Sequence, residues 1–240
     1  MEQLRRWTYP RASRVVVLTS ESLAWLRRSI PGSRGVVIPN PIAYPAPTSE
    51  PMLLPEDLVT GDRHLLLAAG RLAPQKGFDV LITAFASLAG AHPSWDLVIV
   101  GEGPDRAALE ARVASLGLTD RVRLPGVVGN VADWYARADL FVMSSRFEGF
   151  PMTLGEALAA GCPAVSFDCE TGPRDLIQDG QNGRLVRPVE DPAALARTLS
   201  ELMDDEPERR RMAAAATTVR DRYSLERILA MWDLAFQPPS

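Results

Sequence analysis

The stretch that decides the fold is 65-LLLAAGRLAPQKGFDVLITAFASLAGAHPSWDLVIVGEGP-104. It begins and ends on short apolar runs, 65-LLLAAG-70 and 97-LVIVG-101, which read as strands buried on both faces. Between them, residues 78–89 place apolar side chains at helical spacing. Strand, loop, helix, strand is one unit of a parallel sheet. The alternation continues with strands at 121-RVRLPG-126, 139-DLFVM-143, 163-PAVSF-167 and 184-RLV-186. Helical segments lie at 104–116, 131–137, 153–160 and 173–178, and three more follow at 192–203, 207–219 and 224–236. The pattern predicts an α/β class protein with a doubly wound parallel sheet over residues 62–240.

Upstream lies a smaller unit. Residues 14-RVVVLT-19 and 35-GVVIP-39 read as strands flanking a helix at 20-SESLAWLRRSI-30, with Ser20 as its N-cap. One βαβ remnant of a second domain is therefore expected over 1–40. Six prolines crowd 39-PNPIAYPAPTSEPMLLP-55. Such a run suits neither a central strand nor a helix interior, so 41–61 reads as an extended linker.

Composition narrows the function. Hydrophobic residues at 46% and charged residues at 23% are ordinary globular values and argue against disorder. A net charge of −4 supplies no basic field, so no nucleic-acid partner is expected. The run 209-RRR-211 reads as the wet face of a helix. No apolar run reaches the ~18 residues of a membrane span, and the first residues carry no apolar leader core. A cytoplasmic location is expected, with peripheral contact at the inner face of a membrane. Cys162 and Cys169 lack metal-ligand or redox spacing and read as buried free thiols. His64 and His92 read as surface residues.

Ligands of such sheets bind at the carboxyl ends of the strands. After the first strand comes 70-GRLAPQKG-77, where Gly70 permits a sharp turn and Arg71 and Lys76 share a loop. Lys76 is the only lysine among 26 basic residues. A guanidinium fork beside a compact ammonium suits a pyrophosphate; two solvated loop cations are the alternative. After the second strand, Gly101 and Gly103 in 100-VGEGP-104 allow close backbone approach, to a ligand or within a tight turn. This is not GxGxxG, and no acidic residue follows at the dinucleotide spacing, which argues against a dehydrogenase. After the third, the backbone of 124-LPGVVGN-130, centred on Val127, can pair with the edge of a planar base.

After the fourth strand comes 146-RFEGFPMTLGEALAAG-161. Phe147, Glu148, Gly149, Phe150 and Pro151 read as loop, and Met152, Thr153 and Leu154 open a helix whose first N–H groups lack intrahelical partners. That end favours a phosphate. Glu148 lies before it and Glu156 about one turn inside it. Carboxylates accept from neighbouring hydroxyl pairs, so the two would grip a polyol on each side of a pyrophosphate. An acidic first turn stabilised by the helix dipole is the alternative.

Here the motifs GRLAPQKGFDVLITAF, VIVGEGPDRAALE, RFEGFPMTLGEALAAGCPAV and DLIQDGQNGRLV, in this order, resemble the retaining glycosyltransferases of family 4. The resemblance implies the GT-B fold, two Rossmann-like domains facing a cleft, with 62–240 as the nucleotide-sugar-binding domain. It implies that Arg71 and Lys76 bind the diphosphate of the donor and act in catalysis with Glu148, which holds the sugar hydroxyls. Glu156 would bind the ribose, and the backbone from Phe150 to Leu154 would cradle sugar and phosphate. No metal or cofactor is implied, and the chain has no Asp-x-Asp. Residues 166–183 resemble bacterial enzymes that build surface polysaccharides and lipid-linked oligosaccharides from UDP-sugars. The expected partners are a UDP-sugar donor and a glycan or lipid-linked acceptor.

Most of the family's N-terminal domain has no counterpart in 1–40. Three readings stay open: an enzyme incomplete alone, the donor-binding half of a split enzyme, or a nucleotide-sugar-binding module without transfer activity. A sugar-nucleotide epimerase of similar architecture is a further alternative. In 224-SLERILAMWDLAF-236, Leu225, Ile228, Leu229, Trp232, Leu234 and Phe236 make a broad apolar face expected to lie back toward the N-terminal unit.

Overall fold

The computed structural model describes residues 2–237. The chain opens with α1 (Glu2–Thr8), β1 (Val15–Val17), α2 (Ser20–Ser29) and β2 (Gly35–Val37). β1 and β2 pair in parallel as a two-stranded sheet. Thr19, not Ser20, caps α2: its extended backbone lets its hydroxyl accept from the Ser22 N–H at 3.1 Å.

The larger unit runs β3 (His64–Ala69), α3 (Phe78–Leu88), β4 (Trp95–Val100), α4 (Arg106–Ser115), β5 (Val122–Gly126), α5 (Val131–Arg137) and β6 (Leu140–Met143). It continues with α6 (Met152–Ala159), β7 (Ala164–Phe167), α7 (Pro173–Leu176), β8 (Gly183–Val186), α8 (Pro192–Asp204), α9 (Glu206–Ala216), α10 (Val219–Arg222) and α11 (Leu225–Phe236). The expected helix 207–219 breaks into α9 and α10 at two threonines, whose β-branching weakens helix continuation. All six strands are parallel in the order β5-β4-β3-β6-β7-β8, the doubly wound sheet the alternation predicts.

Alternation sorts the strand residues onto two faces. Leu66, Ala68, Leu97 and Ile99 pack with α3 and α8 through Leu81, Phe85, Leu195 and Leu199. Leu65, Leu67, Val98 and Val100 pack with α5 and α6 through Trp134, Tyr135, Leu154 and Leu158. Each face buries its own apolar cluster, so the sheet is a rigid base for the loops at its carboxyl edge.

The proline-rich stretch carries one short 3-10 turn, Pro55–Asp57, and is stitched to the larger unit. Ser49 N–H donates to Gly129 O at 2.9 Å and Gly129 N–H to Pro51 O at 2.6 Å. Asn130 and the Trp134 indole both donate to Leu53 O at 3.0 Å.

Two surface expectations, for His92 and Arg209, are corrected, while the His64 side chain keeps 37% exposure. His92 is 6% exposed, because its Nε2 meets Ser200 Oγ at 2.9 Å under α8. His64 opens β3, stacks on Trp95 at 4.8 Å and faces Asp139 at 3.0 Å. Arg209 is 5% exposed: its guanidinium closes the carboxyl end of α8 at Leu202 O and Met203 O and lies 5.0 Å over Trp95. Only Arg210 and Arg211 form a wet face, paired with Glu206 and Glu208. Cys162 and Cys169 are free and buried, and burial pushes the Cys169 thiol up to about 11.

Of the apolar residues on α11, only Ile228 is buried; Leu225, Leu229, Leu234 and Phe236 are exposed. The helix does reach back to the small unit, where Arg14 donates to Ala235 O at 2.8 Å. Among the described residues no helix is long and apolar enough to cross a membrane.

Candidate donor site at the switch point

Strand order reverses between β3 and β6, so the loops after them diverge from the crevice where ligands of such sheets bind. These two loops are fastened together. Gly77 has φ +62, and a Cβ there would lie 2.2 Å from Ser144 O, so only glycine permits the approach. Ser144 Oγ donates to Lys76 O at 2.8 Å, and Arg146 N–H to Gln75 O at 2.8 Å. The Arg146 guanidinium forks onto Asp79 at 3.0 and 2.9 Å and also reaches Pro74 O and Glu190. Burial works to raise the Asp79 carboxyl, but Arg146 outweighs it and holds the group below its ordinary value.

The clamp sets two expected residues face to face. Lys76 Nζ meets Glu148 Oε1 at 2.6 Å, and Ser145 Oγ donates to the same oxygen at 2.7 Å. The Glu148 side chain is 7% exposed and that of Lys76 18%. The Lys76 stem passes beside Gly70: a Cβ there would stand 3.2 Å from Lys76 Cε. On the other side of Glu148, Thr171 Oγ1 donates to its carbonyl oxygen, and a Cβ on Gly172 would lie 2.6 Å from Pro151 Cδ.

Next to this pair, α6 begins at Pro151 with no side-chain cap. Its first turn, Met152 to Leu154, thus presents N–H groups suited to an anion. Beside it lies a cavity of about 330 Å³. Gly70 and Arg71 after β3, Gly101 and Glu102 after β4, Val127 and Val128 after β5, and Tyr135, Thr153 and Glu156 line it. Glu156 is half-buried and its carboxyl is raised by burial, an effect opposed by the Tyr135 hydroxyl, 3.1 Å from Oε2. Among the described residues Arg71 has no hydrogen bond or ion pair, so its fork is available.

The structure therefore gathers Gly70, Arg71, Gly101, Val127, Thr153 and Glu156 around one cavity, with Lys76 and Glu148 paired near it. Other expected residues sit differently. Gly103 is not in the cavity wall; its missing side chain accommodates Leu72 O, 2.2 Å from a would-be Cβ, and Gly101 likewise accommodates Gly70 O. This glycine pair serves loop packing. Phe150 and Leu154 turn their side chains into the core, with Phe150 5.6 Å from the Tyr223 ring, and Pro151 is buried too. Only their backbones are left for a ligand. Phe147 and Gly149 are exposed, and Phe147 O accepts from Gln75 at 2.9 Å. Gly129 has spent both backbone groups on the proline-rich stretch, so a base could meet only the neighbouring part of that loop.

Sequence reading missed Arg146, Ser145, Thr171 and Tyr135. No motif spacing marks Arg146 or Ser145. Tyr135 in 131-VADWYAR-137 has the spacing of any core aromatic.

A second cavity, about 1130 Å³, opens between the small unit and the ends of β7 and β8. Val15 to Val17, Ser22 and Trp25 line it from one side and Asp168, Thr171, Arg174 and Arg187 from the other. At the seam beside it, Arg174 bridges Asp168 at 2.8 Å and Glu21 at 3.8 Å. Burial, then the Glu21 charge, pushes the Asp175 carboxyl up to about 6. Glu21 Oε2, Asp175 Oδ2 and Arg222 Nη1 are buried there without a partner. Among the described residues no group of three or more His, Cys, Asp or Glu could hold a metal ion.

With that geometry in view, comparison with known proteins is informative. The family described as "Glycosyl transferases group 1" matches residues 54–219. An exopolysaccharide phosphotransferase of Streptomyces coelicolor is 36% identical over 228 residues, covering 95% of this chain and 23% of that protein. The amylovoran biosynthesis glycosyltransferase AmsD of Erwinia amylovora is 29% identical over 233 residues, covering 97% of this chain and 64% of its own length. The solved structure of S. aureus TarM with Fondaparinux, alpha-GlcNAc-glycerol and UDP shares the fold, with a TM-score of 0.85 at 21% identity, over 98% of this chain and 46% of that one. This chain thus spans less than two thirds of each of these relatives.

Proposed function

The chain belongs to the group 1 glycosyl transferases, and we propose that it is the donor-binding part of a retaining, metal-independent family 4 enzyme. The donor is a UDP-sugar carrying a hexose or N-acetylhexosamine. The acceptor is a polysaccharide or lipid-linked oligosaccharide of the bacterial surface, met in the cytoplasm at the inner face of the membrane. UDP comes first among nucleotides because TarM was solved with it. A surface glycan fits the amylovoran relative.

The observation that carries this reading is the ring of groups about the start of α6. Glu156 and Arg71 line the cavity, and Lys76, packed against Gly70 of its wall, meets Glu148 at 2.6 Å. The ribose would sit on Glu156, the diphosphate on the α6 amides, Arg71 and Lys76, and the sugar on Glu148. As the anomeric C–O bond to phosphate breaks, negative charge gathers on the leaving phosphate. Lys76 and Arg71 stabilise it there more than in the ground state, which favours turnover over binding. The acceptor oxygen forms the new bond on the same face, and its proton passes to the leaving phosphate oxygen. The 1130 Å³ cavity, which shares Thr171 with the Glu148 wall, would admit the acceptor.

Calorimetric titration with UDP and several UDP-sugars tests the assignment. Wild type should bind, and Glu156→Ala and Arg71→Ala should each weaken binding about tenfold or more. Unchanged affinity in both variants would place the nucleotide elsewhere.

A second reading is favoured by two features. The β1–β2 sheet has only two strands, and α11 leaves four large apolar side chains exposed. The chain would then act as a donor-binding module or subunit that transfers only with a second α/β unit. Efficient transfer to a simple acceptor by the isolated chain would eliminate that reading. Isomerisation of UDP-sugar without acceptor would instead indicate an epimerase.

A further inference from the structure

The cavity beside α6 contains a buried hydroxyl that the proposed chemistry leaves without a task. Tyr135 on α5 is 2% exposed, with its ring held edge-on to Phe141 at 5.9 Å. Its hydroxyl is 3.1 Å from Glu156 Oε2. A tyrosine this deep needs a partner for its O–H, and here the partner is the carboxylate itself. The neighbouring Trp134 on the same helix is fixed by its indole hydrogen bond to Leu53 O, so α5 is anchored on two sides.

We infer that Tyr135 is a positioning residue: its hydroxyl holds one oxygen of Glu156, leaving the other directed to vicinal ribose hydroxyls. The inference rests on the nucleoside reading above and deepens it. Glu156 projects into the cavity from a helix turn, where its three side-chain torsions would otherwise wander. Oε1 takes no partner among the described residues. The open oxygen keeps two lone pairs for the ribose hydroxyls, and an acceptor held in one place discriminates a ribose from a deoxyribose more sharply than a mobile one.

Charge state follows from the same contact. Burial raises the Glu156 carboxyl, and the Tyr135 hydroxyl opposes that rise. Burial and the Glu156 charge raise the phenol well above 10, so Tyr135 remains a neutral donor. The other titratable groups lining the cavity are Arg71 after β3 and Glu102 after β4, while Cys162, after α6, is buried and bears on the phenol. None of these donates to Glu156 in the structure, so removal of the hydroxyl leaves the carboxylate without its one fixed donor.

The test is Tyr135→Phe, which removes one oxygen and keeps the ring. Two readouts follow, on the full chain. First, affinities for UDP and 2′-deoxy-UDP are compared across pH 4.5 to 8 in wild type, Tyr135→Phe and Glu156→Ala. Tyr135→Phe should lose about tenfold of the preference for UDP over 2′-deoxy-UDP, the scale of one hydrogen bond to a charged group. The acid limb of its binding profile should also move to higher pH, which a merely structural role would not do. Second, the Glu156 titration is followed by carbon-13 NMR without ligand, and should move upward in Tyr135→Phe. If Glu156→Ala loses the preference while Tyr135→Phe keeps wild-type preference and wild-type titration, the inference fails and the nucleoside reading stands. If Glu156→Ala itself discriminates like wild type, the ribose assignment fails and takes the inference with it.

Discussion

The two ends of the molecule meet the same problem, polar groups held in place near a cleft, and solve it unequally. At the switch point, Gly77, Ser144, Arg146 and Asp79 lock two loops, and the Lys76–Glu148 pair is buried with Ser145 as a further partner. At the seam, Glu21, Asp175 and Arg222 each keep a buried atom without a partner, and the two-stranded sheet behind them is half-covered. A satisfied network rigidifies, whereas an unsatisfied one costs stability and marks a contact that can be remade. The groups at the switch point are thus held in place by one another, while those at the seam are held more loosely.

The sharpest way to break that contrast is Lys76→Ala. It leaves the Glu148 carboxylate buried against Ser145 alone and should destabilise the chain by about 3 kcal/mol in urea unfolding. A cost near zero would mean that the pair is not preformed. Gly77→Ala comes next. A Cβ at φ +62 and 2.2 Å from Ser144 O should cost about 2 kcal/mol by the same measurement and loosen both loops. Neutral behaviour would show that the two loops are not locked together there.

The seam should respond to pH instead. The Asp175 carboxyl titrates at about 6 in place against an ordinary 3.8, so its ionisation opposes the contact with Glu21. The contact is firmest below about 3.8, weakens between there and about 6, and stays weakened above. The effect should be about 1 kcal/mol after discounting for solvent screening. Exchange of the amides at the start of α2 should slow from pH 7 to pH 5 relative to intrinsic rates, and Asp175→Asn should flatten that dependence. The smallest effect belongs to α11: Leu229→Ser with Leu234→Ser should change stability by about 0.5 kcal/mol or less, since both are exposed. A large loss there would mean that the helix is covered.

Much of the fold was legible in the sequence, and the reasons are local. Strands β3, β4 and β6 carry the continuous apolar runs 65–69, 97–100 and 140–143, a signal independent of context, and their loops follow from the sheet rule. The spacing of Glu148 and Glu156 about a helix start drew attention to both, and the fold puts Glu156 in a cavity wall and Glu148 against Lys76. What stayed hidden depends on distance in space. Arg209 and Arg210 are adjacent letters, yet one closes α8 and the other faces water, because only the fold decides which side of α9 meets α8. Tyr135 looks like any core aromatic until α6 brings Glu156 against it. Gly101 and Gly103 signal close approach correctly, but the approaching atoms are the chain's own carbonyls.

The most direct test of the central claim is the dissociation constant of UDP for Glu148→Gln beside that of the wild type. In the structure Glu148 occupies Lys76, and its negative charge would stand near the proposed diphosphate position. Removing that charge frees Lys76, so the account predicts that UDP binds Glu148→Gln about three- to tenfold more tightly than wild type. Equal or weaker binding by a folded Glu148→Gln variant would contradict it, because Lys76 could not then be the shared partner of carboxylate and phosphate.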